Sequence, residues 1–390
     1  MSLINMLDSE NKMARNDGVI GTFTRFKGTV LSEALENRFK EISHLNPWIG
    51  SKLVEPSEGK LMFKVPTSID DISPYLKLYN IKDLLNSNAS IDDLIEIIQN
   101  EKKPCLIKKL YVLPTEQCIN TDTPLIKFSF VFDNENQEFV MIYSMNHTVG
   151  DGTNYYQLFK MMSLDEEIHT LNFNRKHEFS RVDFSEEQSQ EKEKEKEKEK
   201  EKEKTGFGKV INLDLIHKIK SETNVKLMDS WISTHDIITA MLLNSLETDK
   251  LIVPINTRPH LSYLNVHDVG NYVDTIIIDS SDEIIPKDIR QSINDFKAGV
   301  NNASDKLKNC TSNTSFTLLT SWVQNYKTLI LGSNCTQNIH RPYVPVNLHG
   351  RTSGGLDHLC VLFCLNESTW MLVGFTTKTN WLENNPLFLN

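Results

Sequence analysis

The sequence has no long hydrophobic run. No segment of about 18 consecutive apolar residues, the length that a membrane-spanning helix requires, occurs in it. The stretch from Met1 to Arg25 mixes charged residues with apolar ones, so it also lacks the apolar centre of a signal peptide. The sequence therefore predicts a cytoplasmic protein without a membrane span.

Clusters of basic residues are also missing. The 390 residues carry a formal net charge of −10, and the run from Glu191 to Lys204 adds Glu and Lys in equal numbers. Because nucleic-acid binding depends on clustered Lys and Arg side chains, this charge balance argues against a nucleic-acid partner.

Several sequence patterns with known chemistry do not occur. The six cysteines show no zinc or redox spacing, and Cys360 and Cys364 lie in an apolar stretch where we expect reduced packing residues. There is no Gly-x-Ser-x-Gly elbow, no phosphate-binding loop and no dinucleotide fingerprint after a strand. A serine hydrolase is thus weakly supported, and we expect no metal and no bound cofactor.

A polar tract between Phe184 and Gly208 divides the chain. In a helix its alternating Glu and Lys would place like charges at i, i+4, and no apolar residue anchors it, so it predicts a solvated linker. We therefore predict an N-terminal lobe over 1–180, a charged linker over 181–208 and a C-terminal lobe over 209–390.

Hydrophobic periodicity predicts alternating helices and strands in both halves. The predicted helices are Ser32 to Ile42, Ile91 to Ile98, Thr153 to Met162, Leu213 to Lys220 and His235 to Leu246. The predicted strands are Leu125 to Phe132, Phe139 to Met145, Lys250 to Pro254, Tyr272 to Asp279, Leu359 to Leu365 and Trp370 to Phe375. The second of these strands is apolar on both faces, so we expect it to be central in its sheet. Helices on one side of a mixed sheet in each half predict two α/β sandwiches.

The segment from Met145 to Gly152 carries the residues best suited to chemistry. A buried strand ends at His147, two glycines allow a tight bend, and a helical run follows. Histidine is a suitable proton acceptor because its unperturbed pKa of about 6.5 is close to neutral pH. Asp151, four residues later, is placed to support the loop that holds the imidazole.

Structural explanations of these two residues stay open at this point. His147 is also compatible with a hydrogen-bonded histidine at a strand end, and Asp151 with the N-cap of the following helix. A metal site at the two residues lacks an obvious third or fourth ligand nearby.

The pattern His147-x-x-x-Asp151-Gly152 resembles the motif of the thioester-dependent acyltransferase superfamily. This group includes BAHD acyltransferases, alcohol O-acetyltransferases, polyketide-associated acyltransferases and condensation domains. Further segments resemble the superfamily in the expected order and extend the likeness over most of the chain. They are Arg25 to Gly28 with the helix from Ser32 and the turn at Asn46 to Ile49, then Ser233 to Ala240, then Pro254 to Pro259 with Val269 to Val273, and then Leu319 to Trp322.

Two departures narrow the resemblance. Condensation domains usually carry two adjacent histidines, whereas Asn146 precedes His147 here. The BAHD branch normally has Asp-Phe-Gly-Trp-Gly in the region that reads Thr328 to Gly332 in this chain. The chain is therefore more similar to the alcohol-acetyltransferase and polyketide-associated types than to the core plant branch.

The resemblance implies a fold and a catalytic residue. The fold would be two chloramphenicol-acetyltransferase-like α/β sandwich lobes with mixed sheets and an interlobe tunnel. His147 would be the catalytic general base, which takes the proton of the acceptor while the acceptor attacks the thioester. Asp151 would pair with Arg258 from the other half and support the site structurally.

Oxyanion or substrate contacts are expected from four further positions. They are the backbone around Gly152 and the side chains of Asn271, Ser321 and Trp322. Asn271 and Trp322 are equally compatible with a turn and a core position. No metal is implied by the resemblance.

The implied function is acyl transfer in secondary metabolism. A monomer would move an acyl group from a thioester, with acyl-CoA as the expected co-substrate, to a hydroxyl or amine of a small molecule. One alternative is a catalytically inactive binding protein of the same fold. Asn146 and the missing Asp-Phe-Gly-Trp-Gly motif favour it, and the intact His147, Asp151, Gly152 and Arg258 disfavour it. The other is a condensation-type enzyme that receives its acyl group from an acyl carrier protein.

Overall fold

The structure is a computed structural model. It describes residues 1–14, 18–180, 204–227, 231–246, 248–280, 284–301, 303–308, 310–311, 314–344 and 356–389. The strands are β1 (Ser2–Asn5), β2 (Val19–Gly28), β3 (Lys52–Ser57), β4 (Lys60–Val65), β5 (Leu76–Asn80), β6 (Ile126–Asp133), β7 (Glu138–Asn146), β8 (Thr205–Val210), β9 (Lys250–Asn256), β10 (Val273–Asp279), β11 (Phe316–Ser321), β12 (Cys335–Pro342), β13 (His358–Asn366) and β14 (Thr369–Thr376). The helices are α1 (Asp8–Met13), α2 (Ser32–Leu45), α3 (Ile81–Leu84), α4 (Ile91–Gln99), α5 (Pro104–Leu110), α6 (Gly152–Met161), α7 (Leu213–Lys226), α8 (Thr234–Ser245), α9 (Pro286–Lys297) and α10 (Ala303–Lys308). None of the helices in these ranges combines the length and the apolarity that crossing a bilayer requires.

The helices and strands predicted from periodicity are all present. Their ends differ by one to three residues in most cases, and the largest change is α7, which continues to Lys226 instead of ending at Lys220. Long amphipathic segments are therefore recognised correctly, while their ends depend on capping and packing.

A five-stranded mixed sheet forms the N-terminal part, in the order β12-β2-β7-β6-β5. β5 and β6 run parallel, and the other neighbours run antiparallel. β7 lies between β2 and β6 and is buried from Phe139 to Asn146, which confirms that this strand is central. A separate antiparallel sheet, β1-β4-β3, packs its apolar residues into the same core.

Helices cover both faces of the five-stranded sheet. On one face, Phe26 and Met141 pack in a core with residues of α2 and α6. On the other face, Phe23 and Val140 pack against α4 and α5. The prediction of helices on one side is therefore wrong for this sheet. The residues of β2, β6 and β7 that point to the second face are also apolar, so this face must be covered by helices as well.

A six-stranded mixed sheet forms the C-terminal part, in the order β10-β9-β11-β13-β14-β8. β11 runs parallel to both β9 and β13. One face packs against α7, α8 and α9. At the start of α8, Ser233 and Asp236 form a capping box, and Arg290 of α9 donates to the same carboxylate over 2.6 Å. The segment from Ser233 to Ala240 thus caps one helix at Ser233 and links it to the next helix through Asp236.

The strand β12 connects the two halves. It follows β11 in the chain but pairs with β2, from Cys335 opposite Gly28 to Pro342 opposite Thr22. The predicted C-terminal lobe, 209–390, therefore contributes one strand to the N-terminal sheet. Of the predicted linker, 181–208, residues 181–203 lie outside the described residues, and its last part is strand, because β8 begins at Thr205.

Candidate active site

His147 lies just beyond the end of β7. Within the fully described range 139–151 it is the only residue that is not buried. Its Nδ1 is buried without a hydrogen-bond partner, and no other described residue forms a hydrogen bond with the imidazole. The contacts therefore do not support a hydrogen-bonded structural histidine.

The backbone of His147 is held from two sides. Its N–H donates to the carbonyl of Gly18 over 3.3 Å. Its carbonyl accepts from the Nδ2 of Asn271 over 2.8 Å. Gly18 precedes β2 and Asn271 precedes β10, so residues of both halves fix the position from which the imidazole projects.

Asn146, the residue before His147, has a structural environment. It is fully buried, and its Oδ1 accepts from the Oγ1 of Thr115 over 3.0 Å and from the Oγ1 of Thr148 over 2.7 Å. Its Nδ2 donates to the carbonyl of Leu113 over 3.3 Å. The Asn146 side chain therefore stabilises the bend after β7, and an asparagine at this position is explained by packing.

Asp151 has both of the roles that the sequence suggested. Its Oδ1 accepts from the N–H groups of Thr153 and Asn154, over 2.9 and 3.4 Å, so it is the N-cap of α6. Its Oδ2 accepts from the Nη1 of Arg258 over 2.8 Å and from the N–H of Tyr272 over 3.1 Å. The carboxylate is almost completely buried, with a side-chain exposure of 3%.

Arg258 uses its whole guanidinium group. Besides Asp151, it donates to the carbonyls of Asp268 and Gly270, over 3.0 and 2.8 Å, and to the Oδ1 of Asn154 over 2.9 Å. The guanidinium also lies over the ring of Tyr272, 5.0 Å from its centroid. A charged group with so many partners fixes geometry as well as contributing energy. The pair predicted between Asp151 and Arg258 therefore ties the start of α6 to the C-terminal half.

Gly270 occupies a position where only glycine fits. Its φ is +152°, and a Cβ there would lie 2.9 Å from the ring of Tyr272. Its N–H donates to the Oδ1 of Asn154 over 3.0 Å. The glycine before Asn271 thus allows the loop to pass close to α6.

A second buried ion pair supports the same loop, and it was not predicted from the sequence. The Nε of Arg175 donates to the Oε2 of Glu10 over 2.9 Å, and both side chains have an exposure of 0%. Arg175 also donates to the carbonyls of Thr148 and Val149, over 3.4 and 2.9 Å. These carbonyls directly follow His147 in the chain.

Glu10 links this pair to Asn271. Its Oε1 accepts from the N–H of Asn271 over 2.9 Å and from the Nδ2 over 3.5 Å, and its Oε2 accepts from the N–H of Leu7 over 3.0 Å. Glu10 and Arg175 are 165 residues apart and lie in no recognisable motif. Only an alignment of related sequences or a structure gives a signal for such a pair. We call Glu10, Arg175 and Asn271 the carboxylate bridge.

The remaining predicted positions lie where the two halves meet. The Nε1 of Trp322 is 3.8 Å from the point that a Cβ on Gly152 would occupy. The Trp322 ring faces Tyr156 with centroids 6.0 Å apart, and it packs against the core residues of β13 and β14. Ser321 is partly buried opposite Leu362, and no hydrogen bond joins it to His147 within the described part of the chain. The structure therefore places the Trp322 indole beside Gly152 of the motif.

A buried histidine lies beneath α6. The Nε2 of His340 in β12 is hydrogen-bonded to the hydroxyl of Tyr156 and its Nδ1 to the hydroxyl of Thr24, both over 2.9 Å. Burial lowers the pKa of His340 to about 3, so the ring is neutral near pH 7. It links β12, β2 and α6 without carrying charge.

Residues suited to binding a metal do not cluster here. Within the described ranges there is no group of three or more His, Cys, Asp or Glu side chains that could hold a metal ion. The ionisable groups of the site are instead engaged in ion pairs that hold the backbone. The chemistry that this arrangement offers is proton transfer at His147.

Comparisons with known proteins address the fold. Neither known protein families nor curated proteins gave a match to the sequence. Solved structures do match over nearly the whole chain. TRI101 of F. sporotrichioides, complexed with coenzyme A and T-2, has a TM-score of 0.61 at 11% identity, covering 96% of this chain and 94% of that one. Polyketide synthase associated protein 5 from Mycobacterium tuberculosis has a TM-score of 0.61 at 11% identity, covering 98% and 95%.

The condensation domain of the monacolin K polyketide synthase MokA has a TM-score of 0.63 at 8% identity, covering 99% of this chain and 94% of that one. The chain shares the fold of these proteins. The two-lobed, chloramphenicol-acetyltransferase-like architecture with mixed sheets is therefore confirmed. The likeness concerns the fold alone, and the tunnel between the lobes stays a prediction.

Proposed function

We propose that this chain is an acyltransferase that moves an acyl group from a thioester, with acyl-CoA as donor, to a hydroxyl or amine of a small molecule. The observation that carries this proposal is that the imidazole of His147 forms no hydrogen bond with any other described residue. His147 alone is partly exposed in a buried segment, and its backbone is held by residues of both halves. Fixed geometry around one proton acceptor is what acyl transfer between two bound substrates requires.

In the proposed reaction His147 acts as the general base. Its Nε2 takes the proton of the acceptor while the acceptor oxygen or nitrogen forms a bond to the thioester carbonyl carbon. The tetrahedral intermediate then collapses, the carbon–sulfur bond breaks, and the thiolate takes the proton back from the imidazolium. No acyl-enzyme forms, because both substrates are held next to each other.

The oxyanion of that intermediate needs a hydrogen-bond donor. The Nδ2 of Asn271 already donates to the carbonyl of His147 over 2.8 Å and to Glu10 over 3.5 Å. The Asp151 carboxylate accepts hydrogen bonds from the N–H groups of Thr153 and Asn154, but not from the N–H group of Gly152. These contacts favour the Gly152 N–H as oxyanion donor, and Asn271 as a residue that positions His147.

The alternative of an inactive binding protein rested on Asn146 and on the missing Asp-Phe-Gly-Trp-Gly motif. Its buried hydrogen bonds with Thr115, Thr148 and Leu113 give this residue a structural reason to be asparagine. This environment removes one of the two arguments against catalysis. TRI101 in complex with coenzyme A shares the fold, which supports acyl-CoA as the donor to test before a carrier-bound one.

The experiment compares His147→Ala with the wild type and with the control His217→Ala, which alters an exposed histidine of α7. Thiol release from acetyl-CoA is followed with a mixed library of alcohols and amines. Loss of a general base is expected to slow transfer by roughly 100- to 10,000-fold with unchanged circular dichroism, whereas His217→Ala retains full activity.

Equal turnover by His147→Ala and the wild type would refute the assignment of the base. A wild type that binds acetyl-CoA but transfers nothing to any acceptor would identify a binding protein. Transfer that occurs only from an acylated carrier protein would identify the condensation-type enzyme.

A further inference from the structure

Arg341 in β12 lies at the junction of the two sheets. Its Nη2 is 3.2 Å from the point that a Cβ on Gly208 of β8 would occupy, and side chains of Val373 and Met371 flank the same point. Val344, just after β12, packs on the core formed by β13 and β14. The guanidinium of Arg341, which belongs to a strand of the N-terminal sheet, thus lies over an apolar part of the C-terminal sheet.

Arg341 differs from the other arginines that the structure describes. Arg25, Arg175, Arg258 and Arg290 each pair with a carboxylate. Arg38 donates to the carbonyls of Met161, Ser163 and Glu166. Within the described residues, Arg341 alone makes no hydrogen bond and no ion pair.

Among the described residues, no carboxylate compensates the charge of Arg341. It is partly buried, and burial lowers the pKa of its guanidinium with no contribution from a neighbouring charge. The group nevertheless stays cationic at neutral pH, because the pKa of arginine is far above 7. A partly desolvated cation with five unused donors is a ready partner for an oxyanion.

The sheet register gives the separation between Arg341 and His147. Arg341 is opposite Phe23 of β2, and Phe23 is opposite Ile142 of β7, which precedes His147 by five residues. At about 3.3 Å per residue and about 4.8 Å per strand, the two positions are roughly 16 Å apart along the strands and about 10 Å across them. A long, flexible thioester arm spans such a distance.

We propose that Arg341 binds the phosphate at the far end of the pantetheine arm of the thioester donor. The proposal rests on the proposed function, since it assigns the donor to the junction between β12 and the C-terminal sheet. Coenzyme A and the phosphopantetheine of a carrier protein both end in this phosphate. The planar guanidinium suits bidentate binding of such a group.

The test measures binding by isothermal titration calorimetry, without turnover. The probes are coenzyme A, free phosphopantetheine and pantetheine, which lacks the phosphate. Arg341→Gln is compared with Arg341→Lys, which keeps the charge, and with Lys27→Gln, which removes an exposed charge from the neighbouring strand β2. Melting temperatures of all variants establish that they are folded.

Arg341→Gln is expected to weaken the binding of both phosphorylated probes by roughly 10- to 100-fold, the effect of one charge-assisted contact. Pantetheine binding is expected to stay unchanged, Arg341→Lys to be intermediate, and Lys27→Gln to match the wild type. Weakening of coenzyme A binding alone would overturn the assignment, because it would place the contact at the nucleotide phosphates, which free phosphopantetheine lacks.

Two further results would overturn the inference. In one, Arg341→Gln binds both phosphorylated probes as the wild type does. In the other, Arg341→Gln weakens the binding of all three probes equally, which would show that Arg341 has a role in the fold. If the wild type binds neither phosphorylated probe, the donor assignment of the proposed function fails and this inference fails with it.

Discussion

Replacing Glu10 by Gln tests whether the carboxylate bridge positions His147. Four donors converge on the Glu10 carboxylate: the N–H groups of Leu7 and Asn271, the Nε of Arg175 and the Nδ2 of Asn271. Glutamine keeps the shape but has one acceptor oxygen and one NH2 group. Whichever way the amide turns, its NH2 group faces donors, and the charge of Arg175 loses its partner.

The expected cost follows from burial. Both members of the Glu10–Arg175 pair have a side-chain exposure of 0%, so solvent does not screen the unpaired charge. Breaking a buried pair on one side typically costs about 3–5 kcal/mol. The double variant Glu10→Gln/Arg175→Met removes that charge as well, so it is expected to lose less than the sum of the single losses.

The free energy of unfolding is measured in urea by fluorescence and by circular dichroism, whose coincidence justifies a two-state analysis. The control is Glu96→Gln, which breaks an exposed pair with Lys102 and is expected to cost at most about 1 kcal/mol.

Activity gives the readout that separates positioning from stability. Arg175 holds the carbonyls of Thr148 and Val149, and Asn271 holds that of His147. A displacement of about 1 Å at a reacting group lowers the rate by roughly 100-fold. At a temperature where the variant is folded, kcat is therefore expected to fall strongly while KM changes little. A Glu10→Gln variant with wild-type kcat and a stability loss below about 1 kcal/mol would refute the role of the bridge.

Two further predictions follow from other buried contacts. Asp151→Ala leaves the Arg258 charge without its carboxylate and removes the cap of α6, so unfolding in urea is expected to show a loss of about 3–5 kcal/mol, against under about 1 kcal/mol for the exposed Asp92→Ala. Equal losses in both would contradict the structural role of the pair. Burial lowers the pKa of His340 to about 3, so between pH 6.5 and that value the unfolded chain binds a proton that the folded chain excludes, and stability falls with falling pH. The stability advantage of the wild type over His340→Gln is expected to shrink by about 1.4 kcal/mol per pH unit from pH 6 to 4.5, and a constant difference would show that His340 does not titrate in this way.

The predicted helices and strands are present in the structure because each of them carries its own pattern. α4 and α8 follow a helical period and begin with capping residues, Ser90 and Ser233, that bind the N–H groups of the first turn. β7 is apolar throughout because both of its faces are covered. The partner of β12 has no local pattern, since pairing with β2 joins residues more than 300 positions apart.

The site was predicted in part for the same reason. His147, Asp151 and Arg258 stand in short motifs with fixed spacing, and the ion pair between the last two is present in the structure. Glu10 and Arg175 stand in no motif, because the structure requires only that their charges meet. Their contacts became visible only when the backbone carbonyls after His147 were located.

The sequence by itself determined those helices and strands that have a regular hydrophobic period, the central position of β7 and the segment that carries His147. These features depend on residues that are close along the chain, because hydrophobic period and helix capping involve residues only a few positions apart. The tertiary structure alone decided that β12 joins the N-terminal sheet, that Glu10 holds the loop of the site, and that Arg341 has no acceptor within the described part of the chain. Hydrogen bonds and ion pairs act over a few ångströms in space, and separation along the chain does not reveal which groups come that close.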